Sequence, residues 1–134
     1  MALKSSRPKD TKRILLLEDD DLVSNFIKYS LETQSFDVVR VANGVEGVQE
    51  LQKSDFDAII CDMMMPKLPG DMFYLAVERM KPHLCNRFVF ITGYKDDKKI
   101  GDFIKRVNGA ILIKPFQVDE LLEMIAFIQM RDHM

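Results

Sequence analysis

The sequence has no apolar stretch approaching the roughly 18 consecutive residues of a membrane span, and none near its start of the kind a secretory leader needs. Neither membrane insertion nor export is therefore expected. Cysteine is scarce: Cys61 lies inside the apolar run from Ala58 to Cys61, and Cys85 falls just beyond Pro82. Two thiols in such different settings argue against a disulfide framework and fit a reduced, cytoplasmic protein. An excess of charge of one sign is also missing. The 19 Lys and Arg against 21 Asp and Glu leave a formal net charge of -2, which offers no broad attraction to nucleic acid or to an anionic membrane. Repeats and low-complexity tracts are absent. What remains is a chain of 134 residues, 47% hydrophobic and 30% charged, with room for one domain and its core and none for a second. Residues 1–12 are basic and polar and read as a flexible tail, leaving 13–131 for the domain.

Short apolar runs alternate with segments of helical period, and the alternation repeats five times. This is the pattern of parallel βαβ units. The strands are expected at Ile14 to Leu17, Val38 to Val41, Ala58 to Cys61, Phe88 to Ile91 and Ala110 to Ile113. The second, interrupted by Arg40, reads as an edge. Helices are expected from Asp21 to Thr33, with Leu22, Phe26, Ile27 and Leu31 inward, and from Gly44 to Lys53, with Val45, Val48 and Leu51 as the stripe. A third runs from Asp71 towards Lys81 and is stopped by Pro82. A fourth begins at Asp96 or Asp97 and ends before Gly109, read as a turn glycine, and a fifth spans Val118 to Met130 with Val118, Leu121, Leu122 and Ile125 in the core. Several strands are apolar throughout and need cover on both faces, so a doubly wound α/β sheet with helices on each side is the expected fold.

The residues that follow the strands carry the chemistry, because ligands of open α/β sheets bind beyond the carboxyl ends of the strands. Leu17 is followed by four acids in a row, Glu18, Asp19, Asp20 and Asp21, with no base close in sequence. Two carboxylates held together repel by up to about 4 kcal/mol at an effective dielectric near 20, and a hard divalent cation such as Mg2+ relieves this. Asp20 and Asp21 also suit the start of the next helix. The third strand delivers Asp62, the fourth Thr92 and the fifth Lys114, while the second delivers nothing comparable. Singly, each is an ordinary turn, cap or edge residue. Jointly, on one rim, they supply a nucleophilic acid, two acids for a metal, a hydroxyl and an ammonium. That set suits transfer of a phosphoryl group to the Asp62 carboxylate, with Mg2+ on Glu18 and Asp19 and with Lys114 and Thr92 on the phosphoryl oxygens.

In ILLLEDDD, AIICDMMMP, FVFITG and ILIKPF the chain resembles the receiver domain of two-component response regulators, over residues 13–131. The resemblance implies a flavodoxin-like sheet of strand order 2-1-3-4-5. It makes Asp62 the phosphoacceptor, Glu18 and Asp19 the acidic metal pair, Met64 a ligand through its backbone carbonyl, Thr92 the switch hydroxyl and Lys114 the conserved-type lysine before a cis Pro115. The implied cofactor is Mg2+. The implied partners are a histidine kinase or histidine phosphotransfer protein as phosphohistidine donor, and a downstream protein or output domain. The domain is then a signalling switch and not an enzyme, read out through helix four, strand five and helix five. Ile111 stands where many receivers carry Tyr or Phe, so the signal is expected to pass through backbone movement instead of a ring flip. Gly93 leaves room above Asp62, and Met64 and Tyr94 flank the entrance. Neither is a base for water, so slow self-dephosphorylation is expected.

Met124, Phe127, Ile128 and Met130 form a second apolar face on the fifth helix, which with Ile111 reads equally as a partner or homodimer patch and as a terminal helix wrapped closely on the core or covered by a further domain. Two other functions compete. A phosphorylation-independent interaction module would use that same face. A haloacid-dehalogenase-type phosphatase would carry its nucleophile after the first strand with a second Asp two residues on, whereas here Asp62 follows the third strand and Met64 holds the second place. Both a stand-alone receiver and a piece of a hybrid kinase or larger regulator fit the sequence.

Overall fold

The computed structural model describes residues 11–93 and 96–132. In them the strands β1 (Arg13–Leu17), β2 (Asp37–Val41), β3 (Ala58–Asp62), β4 (Phe88–Thr92) and β5 (Ala110–Ile113) alternate with the helices α1 (Asp21–Glu32), α2 (Gly44–Lys53), α3 (Gly70–Met80), α4 (Lys98–Val107) and α5 (Val118–Asp132). The strands pair in parallel in the order β2-β1-β3-β4-β5, as expected, with β2 at one edge. β3 and β4 run one residue beyond their apolar runs, so Asp62 and Thr92 are the last residues of strands and not members of loops. A short 3₁₀ segment, Pro82–Arg87, which the apolar pattern does not reveal, links α3 to β4. Among the described residues no helix is long and apolar enough to cross a membrane.

Because side chains alternate along a strand, β1, β2, β3 and β4 feed two cores, one on each face of the sheet, and β5 feeds one of them. Leu15, Leu17, Ile59, Cys61, Phe88 and Phe90 pack against residues of α2, α3 and α4, while Ile14, Leu16, Ile60, Val89, Ile91 and Leu112 pack against α1 and α5. The first core contains an aromatic cluster of Phe73, Tyr74, Phe88, Phe90 and Phe103, with ring centroids 5.1 to 5.9 Å apart. Each ring so buried contributes about 1.5–3 kcal/mol through its removal from water.

The helices correct several expectations. Leu22 and Phe26 do not point inward but are 82% and 53% exposed, and the buried arc of α1 is Ser24, Ile27 and Leu31. Apolar residues run around much of α1, so period alone does not select the buried arc. Ser24 can take a core position because its hydroxyl donates to the Asp21 carbonyl at 3.1 Å. In α2 two of the three expected stripe residues face the core, Leu51 fully buried and Val48 half-buried against it, and Val45 does not. Val45 is exposed, and the buried positions are Gly44, Gly47 and Leu51. The reason is close approach: a Cβ on Gly47 would lie 2.6 Å from Leu17 Cδ2 and 2.9 Å from the Phe73 ring. In α5, Ile128 is buried with Leu121 and Ile125 and so leaves the proposed outer face. Val118, Leu122 and Met124 are half-buried, and Phe127 and Met130 are exposed. After α4 the left-handed residue is Asn108, with φ 53°, and not Gly109. Gly109 is needed for a different reason, since a Cβ there would lie 3.0 Å from the Phe90 ring.

The glycines yield a paired prediction. Gly47→Ala should destabilise the protein by about 1–3 kcal/mol, because Leu17 and Phe73 are fully buried and cannot yield, and this outweighs the better helix propensity. Gly101, inside α4, has open space around its would-be Cβ, so Gly101→Ala should stabilise by about 0.5–1 kcal/mol. Urea unfolding of the two variants and the parent checks both signs.

Candidate functional site

At the carboxyl end of the sheet, β1, β3 and β5 bring Glu18, Asp62 and Lys114 together. Lys114 Nζ donates to Asp62 Oδ2 at 2.7 Å and lies 3.6 Å from Glu18 Oε1. The residues Glu18 and Asp62 are both buried, at 1% and 4% exposure, and Asp19 is exposed. Their backbone settings explain why the carboxylates meet. Glu18 N–H donates to the Val41 carbonyl at 3.1 Å, continuing the β1–β2 ladder one residue past the strand. The Met63 N–H does the same towards the Ile91 carbonyl at 2.9 Å, and the Met64 N–H turns back to Asp62 Oδ1 at 2.9 Å. That turn is a typical use of an Asp side chain, holding one oxygen while Lys114 holds the other. On β5 the Lys114 N–H donates to the Thr92 carbonyl at 2.8 Å, and the Lys114–Pro115 peptide is cis, as the resemblance implies.

Thr92 is fully buried at the end of β4, on the strand beside Asp62, whose register partner there is Ile91. Met64 is exposed and lines, with Glu18, Asp19, Asp20, Asp62, Gly93 and Lys114, an open depression of about 460 Å³. A Cβ on Gly93 would meet Lys114 Cβ at an ordinary 3.9 Å, so the glycine widens the rim without being demanded by contact. Tyr94 lies outside the described residues, as does the tail over residues 1–10.

The electrostatics follow from burial. Burial raises the Glu18 carboxyl to a pKa of about 7, opposed by the Asp20 N–H, which donates to Glu18 Oε2 at 3.1 Å, and reinforced by the Asp62 charge. Burial pulls the Lys114 ammonium down, but its hydrogen bond to Asp62 and the two carboxylate charges outweigh this and leave it above the ordinary lysine value. Cys61, one residue before Asp62, is pushed far up by burial and is no nucleophile.

A cation fits these residues. Glu18, Asp19 and Asp62 each offer an oxygen, all within 4.8 Å of one another, and Glu18 Oε1 is a buried acceptor without a hydrogen-bond partner. An all-oxygen set with an orphaned carboxylate oxygen suits a hard divalent ion. Of the other two acids, Asp20 caps α1, accepting the N–H groups of Leu22 and Val23 at 2.9 and 3.1 Å, and Asp21 lies in its first turn.

One residue escaped the sequence reading. Arg40, from the edge strand expected to contribute nothing, donates from Nε to the Glu18 carbonyl at 2.9 Å and pairs with Asp21 Oδ1 at 3.0 Å. Its position before the end of a strand was the available signal, but that position says nothing of where a long side chain reaches.

The comparisons with known proteins bear on the fold and the family. The model of the response regulator receiver domain matches residues 14–126. The chain is 30% identical over 114 residues to the response regulator receiver protein CpdR of Brucella abortus, covering 85% of this chain and 93% of that protein. It is 28% identical over 110 residues to the sensor kinase CckA of the same species, covering 81% of this chain but only 11% of the kinase. Among solved structures, a CheY-like receiver domain from Methanospirillum hungatei superposes with a TM-score of 0.84 at 23% identity, covering 92% of this chain and 98% of its own, a likeness of fold. With the family model spanning most of the domain and one curated relative matched almost end to end, the chain belongs to the response regulator receiver domain family.

Proposed function

We propose that this receiver domain accepts a phosphoryl group on Asp62 from a phosphohistidine of a histidine kinase or histidine phosphotransfer protein. The observation that carries the reading is the Asp62 carboxylate fixed at both oxygens, by Lys114 Nζ at 2.7 Å and the Met64 N–H at 2.9 Å, beside two further acids at the mouth of an open depression. An oxygen of Asp62 attacks phosphorus, the phosphorus–nitrogen bond of the donor breaks, and the imidazole nitrogen keeps the electron pair. Glu18, Asp19, Asp62 and the Met64 carbonyl would hold Mg2+, which when bound supplies positive charge against the phosphoryl oxygens. Lys114 then gives up its bond to Asp62 and follows a phosphoryl oxygen, and Thr92 turns its hydroxyl towards another.

The added charge is then read out through α4, β5 and α5, with Phe127 and Met130 on the exposed side of α5. Ile111, half-buried on β5, has no ring to flip, which leaves the signal to the backbone between β4 and α4. The setting is the cytoplasm, and the downstream partner is a protein or an output domain.

Two outcomes are expected. Exposure to a small-molecule phosphodonor with Mg2+ should add one phosphoryl mass to the wild type and none to Asp62→Asn, by intact-mass spectrometry. A wild type that stays unmodified would favour the phosphorylation-independent interaction module. The phosphoryl group should be long-lived, because the Met64 thioether beside the site cannot activate water. Met64→Gln should shorten the lifetime by on the order of tenfold, less than the 10²–10⁴ of an aligned general base, as timed by loss of the phosphoryl mass.

A further inference from the structure

We infer that Arg40 is a positioning residue of the acidic cation site, acting on the backbone that aims Glu18 and Asp19. The inference rests on the reading that these two residues hold Mg2+.

Glu18 and Asp19 lie in the gap between the last residue of β1, Leu17, and the N-cap of α1, Asp20. The backbone here lies past the last strand residue and short of the helix, so the peptide that sets the direction of both side chains keeps its orientation only where neighbouring groups hold it. β2 holds it from both sides. The Val41 carbonyl takes the Glu18 N–H at 3.1 Å, and Arg40 Nε donates to the Glu18 carbonyl at 2.9 Å. Nη1 of the same guanidinium pairs with Asp21 Oδ1 at 3.0 Å, across the turn. The β1–α1 turn is thus gripped at Glu18 and at Asp21 by one rigid fork, and Asp19 sits between the two grips. Its backbone direction is set from both sides while its carboxylate stays exposed within reach of Glu18 and Asp62.

The register makes this reach possible. Arg40 pairs with Leu16 in the ladder, two residues before Glu18, so a side chain of its length arrives beside the turn when it lies along the strand. A planar guanidinium presents Nε and Nη1 in a fixed relation and meets two acceptors at once, which an ammonium on a flexible stem does not. Charge alone would have the opposite effect. A cation beside the site opposes the binding of a second cation, so removing it should tighten Mg2+. Loss of the fork should weaken Mg2+, because a metal then has to order the turn as it binds.

The test is a Mg2+ titration of the wild type, Arg40→Gln and Arg40→Lys, followed by amide chemical shifts, with urea unfolding of the metal-free proteins alongside. Both variants should bind Mg2+ about tenfold more weakly, at the low end of what outer-sphere partners of metal ligands contribute. Arg40→Lys, which keeps the charge, should not restore binding. A merely structural role would lower metal-free stability and leave the Kd within about twofold of wild type. That result, tighter binding in Arg40→Gln, or full rescue in Arg40→Lys would each overturn the inference. A wild type that shows no Mg2+ response would overturn the metal reading beneath it.

Discussion

The contact between Lys114 and Asp62, with Glu18 close behind, is the constraint on which the rest of the site depends. Two nearly buried carboxylates at the end of a sheet are costly to hold together, since burial and mutual repulsion both disfavour charge. One ammonium, 2.7 Å from Asp62 and 3.6 Å from Glu18, offsets part of that cost and leaves Glu18 Oε1 without a hydrogen bond. The arrangement is incomplete in a specific way: it has one cation for two buried acids and one orphaned oxygen, with a third acid beside it at the surface. That residual demand for positive charge is the physical basis for reading a metal there.

The sheet makes the contact possible by placing β1, β3 and β5 so that their last residues face one rim. Parallel strands end on the same side by construction, and here the crossover helices cover both faces of the sheet. The two cores, one under α1 and α5 and one under α2, α3 and α4, fix the strand ends to within the packing of their side chains. Gly44 and Gly47 belong to the same logic. They let α2 lie against the sheet and the loop before α3, where a Cβ on Gly44 would come 2.5 Å from the Leu68 carbonyl oxygen.

Much of this was legible in the sequence. The apolar runs located all five strands: β1, β3 and β4 are buried on both faces and carry no polar residue to disguise the run, and β2 stood out despite Arg40. The residues after them, Glu18, Asp62, Thr92 and Lys114, were found by the same signal, and the structure gathers Glu18, Asp62 and Lys114 at one point with Thr92 on the adjoining strand end. The faces of α1 and α2 were less legible. Leu22 and Phe26 have the right period and the wrong direction, since a helix with a wide apolar surface can present more than one arc. In α2 Leu51 and Val48 face the core as their period suggests, but Gly44 and Gly47 share the contact and carry no hydrophobic signal, while Val45 has the period and is exposed.

The sequence by itself determined the alternation of strands and helices, their parallel pairing, and the set of chemical groups at the strand ends. Each of these depends on local period or on a residue's place after an apolar run. Tertiary structure alone decided which oxygen of Asp62 meets Lys114, which helix arcs are buried, and that Arg40 reaches Glu18 and Asp21 from the edge strand. Those facts depend on distances between residues far apart in the chain, and they become defined only once two packed cores hold the strands in register.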